Sequence, residues 1–148
     1  MKMELLDAFL TGHPVIDQEH RKIVNSINKV SSSIQNHEFE KCADLMDNFL
    51  TVCTDHFATE ENLLAKLDYP HLKSHITFHR ELTLKAKAVR ILCMDMNDQD
   101  GLQRCFDEMA ALLIEDVIKG DMAFVSFLIE KGVITPRKYA FPNPKHLS

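Results

Sequence analysis

Tryptophan is absent from this chain, and glycine occurs only four times in 148 residues. So few flexible positions leave little material for the repeated tight turns of an all-β fold. No apolar run approaches the ~20 residues that a membrane-crossing helix needs. The amino terminus, MKMELLDAFLTG, carries an acid early and lacks a long apolar centre, so it does not read as a signal peptide, and the cytoplasm is the expected compartment. Positive charge is also in deficit. The net charge is −5 with histidine neutral, which argues against a nucleic-acid surface, since phosphate binding needs clustered Lys and Arg. The four cysteines, Cys42, Cys53, Cys93 and Cys105, include no C-x-x-C pair, against structural zinc and against a dense disulfide framework. Cys42, Cys53 and Cys105 fall on apolar helical faces, where a thiol behaves as a small hydrophobe. Reduced core thiols are therefore expected.

What the chain does have is helical periodicity, with 45% hydrophobic and 26% charged residues in a length that suits one domain. Ile16, His20, Ile23, Val24, Ile27, Val30 and Ile34 recur at three- and four-residue steps, predicting a helix from about Asp17, as N-cap, to Asn36. A second stripe, Cys42, Leu45, Met46, Phe49, Cys53, His56, Phe57, Glu60, Leu63, Leu64 and Leu67, predicts a helix over about 39–67. After Asp68-Tyr69-Pro70, with Pro70 suited to a first helical turn, Leu72, His75, Ile76, His79, Leu82, Ala86 and Val89 predict a third, to about Leu92. A turn at Asn97, Asp98, Asp100 and Gly101 precedes a fourth helix running to Lys131, and Gly132 terminates it. Short connections imply an all-α, antiparallel up-down-up-down four-helix bundle. The expected organisation is an arm over 1–16, the bundle over 17–132, and a proline-punctuated tail or linker over 133–148.

Seven polar residues interrupt the stripes that should be buried: His20, His56, Glu60, His75, His79, Asp116 and Asp121. Burying an unpaired charge costs several kcal/mol, so seven together need a shared partner. His56 and Glu60 are four apart, as are His75 and His79, and each pair projects from one helix face. Imidazole and carboxylate donors without thiolate suit iron, manganese or zinc, and bundle cores host dimetal carboxylate sites.

The stretches HPVIDQEH, DHFATEENLL, YPHLKSHITFH and LLIEDVIKGDMAF, within about His13 to Lys131, resemble bacterial hemerythrins. The resemblance implies two non-haem iron ions sharing an oxo or hydroxo bridge, with dioxygen bound end-on at one of them. It implies that His20 and His56 hold that iron, His75 and His79 the other, and that Glu60 and Asp121 bridge the pair. Ile23, Phe57 and Leu113, each within a helical turn of these residues, are expected to wall the oxygen pocket. His71 is expected at an exposed first turn, Tyr69 in packing, and His13, His37 and His146 outside ligand spacing.

The chain departs from that family at Asp116, where hemerythrins place a histidine five residues before the bridging aspartate, and at Leu112, where they place tryptophan. Asp116 either ligates iron directly, holds a water or hydroxide there, or leaves that iron weakly bound. Glu115, ~100° round the helix, is expected to face solvent. Three functions follow as expectations: binding or sensing of dioxygen or a related small ligand, with a signalling domain or partner protein as recipient; a diiron oxidoreductase acting on peroxide, dioxygen or nitric oxide; or metal storage. Neither nucleic acid nor membrane is an expected partner. If Asp116 ligates, exchanging a neutral ligand for an anion in a low-dielectric core favours the higher metal charge. Asp116→His is then expected to slow autoxidation of the oxygenated protein, followed by its visible absorption, and an unchanged rate would defeat this.

Overall fold

The computed structural model describes residues 10–135, apart from the side chains of 117 and 118. The described residues contain helices and no strand. The long helices are α1 (Pro14–Gln35), α2 (Phe39–Lys66) and α3 (Leu72–Cys93), and the fourth limb comprises α4 (Gln99–Glu115), a π-helical segment (Asp116–Asp121) and α5 (Val125–Glu130). Connections over 36–38, 67–71 and 94–98 are short, so consecutive helices run antiparallel. α1 packs on α2, α2 on α3 and α3 on α4, and α4 closes back on α1. This is the up-down-up-down four-helix bundle that the periodicity implies.

The ends of the helices differ from the sequence expectation for local reasons. α1 begins at Pro14 rather than after Asp17, with His13 as its cap: His13 Nδ1 accepts from the Ile16 amide at 3.4 Å. Asp17 lies inside the first turn and reaches back, accepting from the Thr11 amide at 2.7 Å, the Thr11 hydroxyl at 2.8 Å and the Gly12 amide at 2.9 Å. Pro70 stays in the turn, and α3 starts at Leu72 behind an exposed His71. Asp98 caps α4 through the Gly101 amide at 2.8 Å, which places Gly101 in the helix rather than the turn. Gly132 does terminate the last helix. Its φ is 71°, and the Val133 amide donates back to the Leu128 carbonyl at 3.0 Å, the wrap that a left-handed residue permits.

The interior has three layers. A large apolar cluster contains Ile23, Val30, Ile34, Met46, Phe49, Cys53, Leu82, Phe106, Met109 and Leu113. A smaller one contains Ile16, Leu64, Phe124, Leu128 and Ile134, so the chain just past Gly132 packs against the bundle. Between them along every helix lies the polar set: His20 separates Ile16 from Ile23, and Asp116 and Asp121 separate Leu113 from Phe124. His146 and the prolines at 136, 142 and 144 lie outside the described residues.

The fourth limb is not the continuous α-helix that the periodicity suggests. Residues five apart on an α-helix point about 140° away from one another, so Asp116 and Asp121 cannot both face inward on one. The widened π turn, with its i→i+5 bonding, brings both into the core, where each is fully buried. Glu115, on the adjoining position, turns outward and pairs with Lys119 at 2.9 Å.

Cysteine departs from expectation too. Cys42 and Cys53 are buried free thiols, but Cys93 and Cys105 form a disulfide that joins the end of α3 to α4 across Cα atoms 5.6 Å apart. Residues separated by 12 in sequence met across a helical hairpin whose pairing the scattered spacing does not reveal. Reduction, or Cys93→Ser, is expected to lower the unfolding free energy by about 3 kcal/mol, the loop-closure value for a bridge of this span. Urea melts that coincide with and without reductant would show that the sulfurs are not joined.

Candidate metal centre

Each helix contributes to the middle layer from one face. His20 comes from α1, His56 and Glu60 from successive turns of α2, His75 and His79 from successive turns of α3, and Asp116 and Asp121 from the π segment. The structure brings all seven together in two overlapping groups. One holds His20, His56, Glu60 and Asp121, the other Glu60, His75, His79, Asp116 and Asp121, and within each group one donor atom per residue lies within 4.8 Å of all the rest. Glu60 and Asp121 belong to both.

The imidazoles converge through Nε2. His20 Nε2 meets Asp121 Oδ2, which also lies 3.0 Å from His56 Nε2. Glu60 Oε1 is 3.2 Å from His79 Nε2 and 3.4 Å from His75 Nε2. Asp116 Oδ1 lies 2.8 Å from His79 Nε2, while its Oδ2 is 3.8 Å from His56 Nε2. Asp116 therefore occupies the second group but leans toward the first.

The outward nitrogens of two of these rings are held by carboxylates. His56 Nδ1 donates to Glu19 at 2.9 Å, and Glu19 is itself held by the Thr59 hydroxyl at 3.0 Å. His79 Nδ1 donates to Glu61 at 3.1 Å. A proton held on Nδ1 leaves the Nε2 lone pair facing the interior, the tautomer a metal requires. Phe57 stacks on His79 with centroids 4.1 Å apart and an interplanar angle of 10°, fixing the ring plane from the apolar side. Ile23 and Leu113 are buried in the same large cluster as Phe57.

Electrostatically the layer is over-supplied with negative charge. Burial pushes Glu60 well above the ordinary carboxylate range, reinforced by the charges of Asp121 and Asp116. Burial and Asp121 raise Asp116 to about 7 against the pull of His79. Burial would also raise Asp121, but hydrogen bonds with Glu60, His20 and His56 overcome it and hold Asp121 well below the usual range. Burial disfavours the His56 cation, yet Asp121 and Glu19 outweigh it and lift that group to about 9. His75, opposed by burial and by His79, falls to about 4. Left to themselves, these side chains retain protons to offset one another.

Even so, Glu60 Oε2, Asp116 Oδ2, Asp121 Oδ1 and His20 Nδ1 are buried without a hydrogen-bond partner. His56 Nε2 lies 3.2 Å from Glu60 Oε2 but is not aligned to donate to it. Each such orphan costs about 1–3 kcal/mol. Three of them are carboxyl oxygens of the same buried layer, which no amide or hydroxyl reaches. Cations fit this set: they supply the missing positive charge and bind oxygen and nitrogen without displacing either.

Sequence reading missed Glu19 and Glu61. Each adjoins a candidate donor, His20 and Glu60 respectively, and looks like a solvated neighbour. Their partners, His56 and His79, stand on the facing helices, so only the tertiary arrangement exposes the contact. Of the remaining histidines, His13 caps α1 and His37 sits in a turn with a φ of 55°, and neither joins the centre. Tyr69 packs against Phe127 and Phe124.

The family model for the hemerythrin HHE cation binding domain matches residues 11–119. A bacteriohemerythrin of Clostridium acetobutylicum is 25% identical over 123 residues, spanning 80% of this chain and 95% of that protein. A bacteriohemerythrin of Pseudomonas aeruginosa is 28% identical over 85 residues, 57% of this chain and 56% of its own length. A myohemerythrin of Riftia pachyptila is 29% identical over 83 residues, 56% of this chain and 64% of its own length.

If Glu19 and Glu61 orient the rings, Glu19→Ala and Glu61→Ala will each weaken metal affinity about 10–100-fold, the usual loss for such outer partners. Chelator competition measures this, with helicity by circular dichroism unchanged; affinities equal to the parent protein would remove the orienting role.

Proposed function

The chain belongs to the hemerythrin family, and on that premise we propose that it is a non-haem diiron protein that binds dioxygen reversibly inside the bundle. In this reading His20 and His56 hold one iron, His75, His79 and Asp116 hold the other, and Glu60 and Asp121 bridge the two. The observation that carries it is the sharing of Glu60 and Asp121 between two donor groups of otherwise separate membership. A single ion would need only one of those groups.

Two ferrous ions would supply the electrons that dioxygen takes up on binding. The rest is the work of the chain. Glu60, Asp116 and Asp121 bring three carboxylates to balance the cations where water cannot. Glu19 and Glu61 keep Nε2 of His56 and His79 free for the metal. Ile23, Phe57 and Leu113, each at most 3% exposed, form the apolar wall that keeps water and its protons from the small ligand. No helix among the described residues is long and apolar enough to cross a membrane.

Asp116 favours a second reading, diiron oxidoreductase chemistry. It makes the half held by His75 and His79 richer in carboxylate than the half held by His20 and His56, and an anionic environment favours the oxidised metal.

Iron analysis is expected to give two ions per chain. Anaerobically reduced protein mixed with dioxygen is expected to develop a visible absorption that persists and is reversed by removing the gas. Rapid turnover with peroxide and no persistent band would instead support the oxidoreductase, and no oxygen-dependent change at all would leave metal storage and defeat both.

A further inference from the structure

Gly120 lies on a buried helical turn, directly before Asp121 and four residues after Asp116. Glycine is a poor choice for such a position, costing about 1 kcal/mol relative to alanine in a helix interior. Nor does the backbone ask for it. The glycines with positive φ among the described residues are Gly12 and Gly132, and Gly120 is not one of them.

The reason for glycine here is space. A β-carbon at position 120 would stand 2.6 Å from Asp116 Oδ1 and 2.9 Å from Phe78 Cε2, both closer than real contacts allow. Oδ1 is the oxygen that His79 Nε2 meets at 2.8 Å, so it cannot retreat without leaving the centre. Phe78 adjoins His79 on α3 and backs the same spot. The volume that a methyl group would fill is occupied by the Asp116 carboxylate.

We propose that Gly120 is a positioning residue: by omitting its side chain it admits the Asp116 carboxylate into the half of the centre held by His75 and His79, and so selects the donor set of that half. This rests on the diiron reading for its metal consequences but not for its geometry. Any side chain at 120 turns Asp116 away from His79. The pair, rather than Asp116 alone, then defines how this chain builds its second iron site.

The test is a cycle of Gly120→Ala, Asp116→Ala and the double variant. Two readouts are used: the ring nitrogen NMR shifts of His79 in metal-free protein, and titration with cobalt(II), whose visible bands report coordination number. Gly120→Ala is expected to shift the His79 signals toward those of Asp116→Ala. It should also weaken uptake of one of two cobalt ions about 10–100-fold, as loss of a positioning partner does. In the Asp116→Ala background the same change should alter affinity less than twofold, because the methyl group enters vacated space. Equal cost in both backgrounds, or unmoved His79 signals, would overturn the proposal. Should Gly120→Ala fail to fold, rescue by Asp116→Ala supports the proposal, and rescue only by Phe78→Ala overturns it. If no variant, parent included, takes up metal, the diiron reading fails, while the His79 signals still decide the role of Gly120.

Discussion

Everything about this bundle turns on three carboxylates, Glu60, Asp116 and Asp121, held out of water in the middle of an otherwise apolar interior. A carboxylate in that position must be neutralised by a proton, paired with a cation or joined to a metal. The neighbouring imidazoles pair with some of the oxygens, and shifted protonation accounts for part of the charge. Three of the carboxyl oxygens still have no hydrogen-bond partner. The apolar clusters on either side close the layer, so solvent does not relieve the imbalance. That excess of negative charge is what makes the layer a cation site rather than a network of ion pairs.

The two halves of the layer are not equivalent. His20 and His56 share theirs with the two common carboxylates, while His75 and His79 have Asp116 in addition. Because Asp116 Oδ2 lies 3.8 Å from His56 Nε2, its negative charge is felt on both sides but bonded on one. The carboxylates available to the two halves therefore differ by one, contributed by the π segment.

How much of this could be read beforehand depended on which geometry carried the information. His56 with Glu60, and His75 with His79, were legible because four-residue spacing maps directly onto a helix face. The bundle was legible for the same reason, repeated over each long helix. Asp116 and Asp121 were recognised as inward residues, but the way both face in was not, because periodicity assumes one helical pitch and the π segment changes it. Glu19, Glu61 and the Cys93–Cys105 bridge depend on which surface of one helix meets another. At His13 and Asp17 the competition lay between two good capping groups, and Pro14 decided it by starting the helix earlier. Gly120 carries a signal of its own kind, a residue whose meaning is the volume it leaves to another.

The covalent bridge lies near the start of the fourth limb and the widened turn past its middle. Cys93 and Cys105 fasten α3 to α4 inside the larger apolar cluster. Beyond Asp121 the described residues form the six-residue α5, which is seated on the smaller one. One pole of the molecule is thus stitched and thickly packed, and the other rests on a short lever. The two poles are therefore fastened by different chemistry, a covalent bond at one and apolar packing at the other.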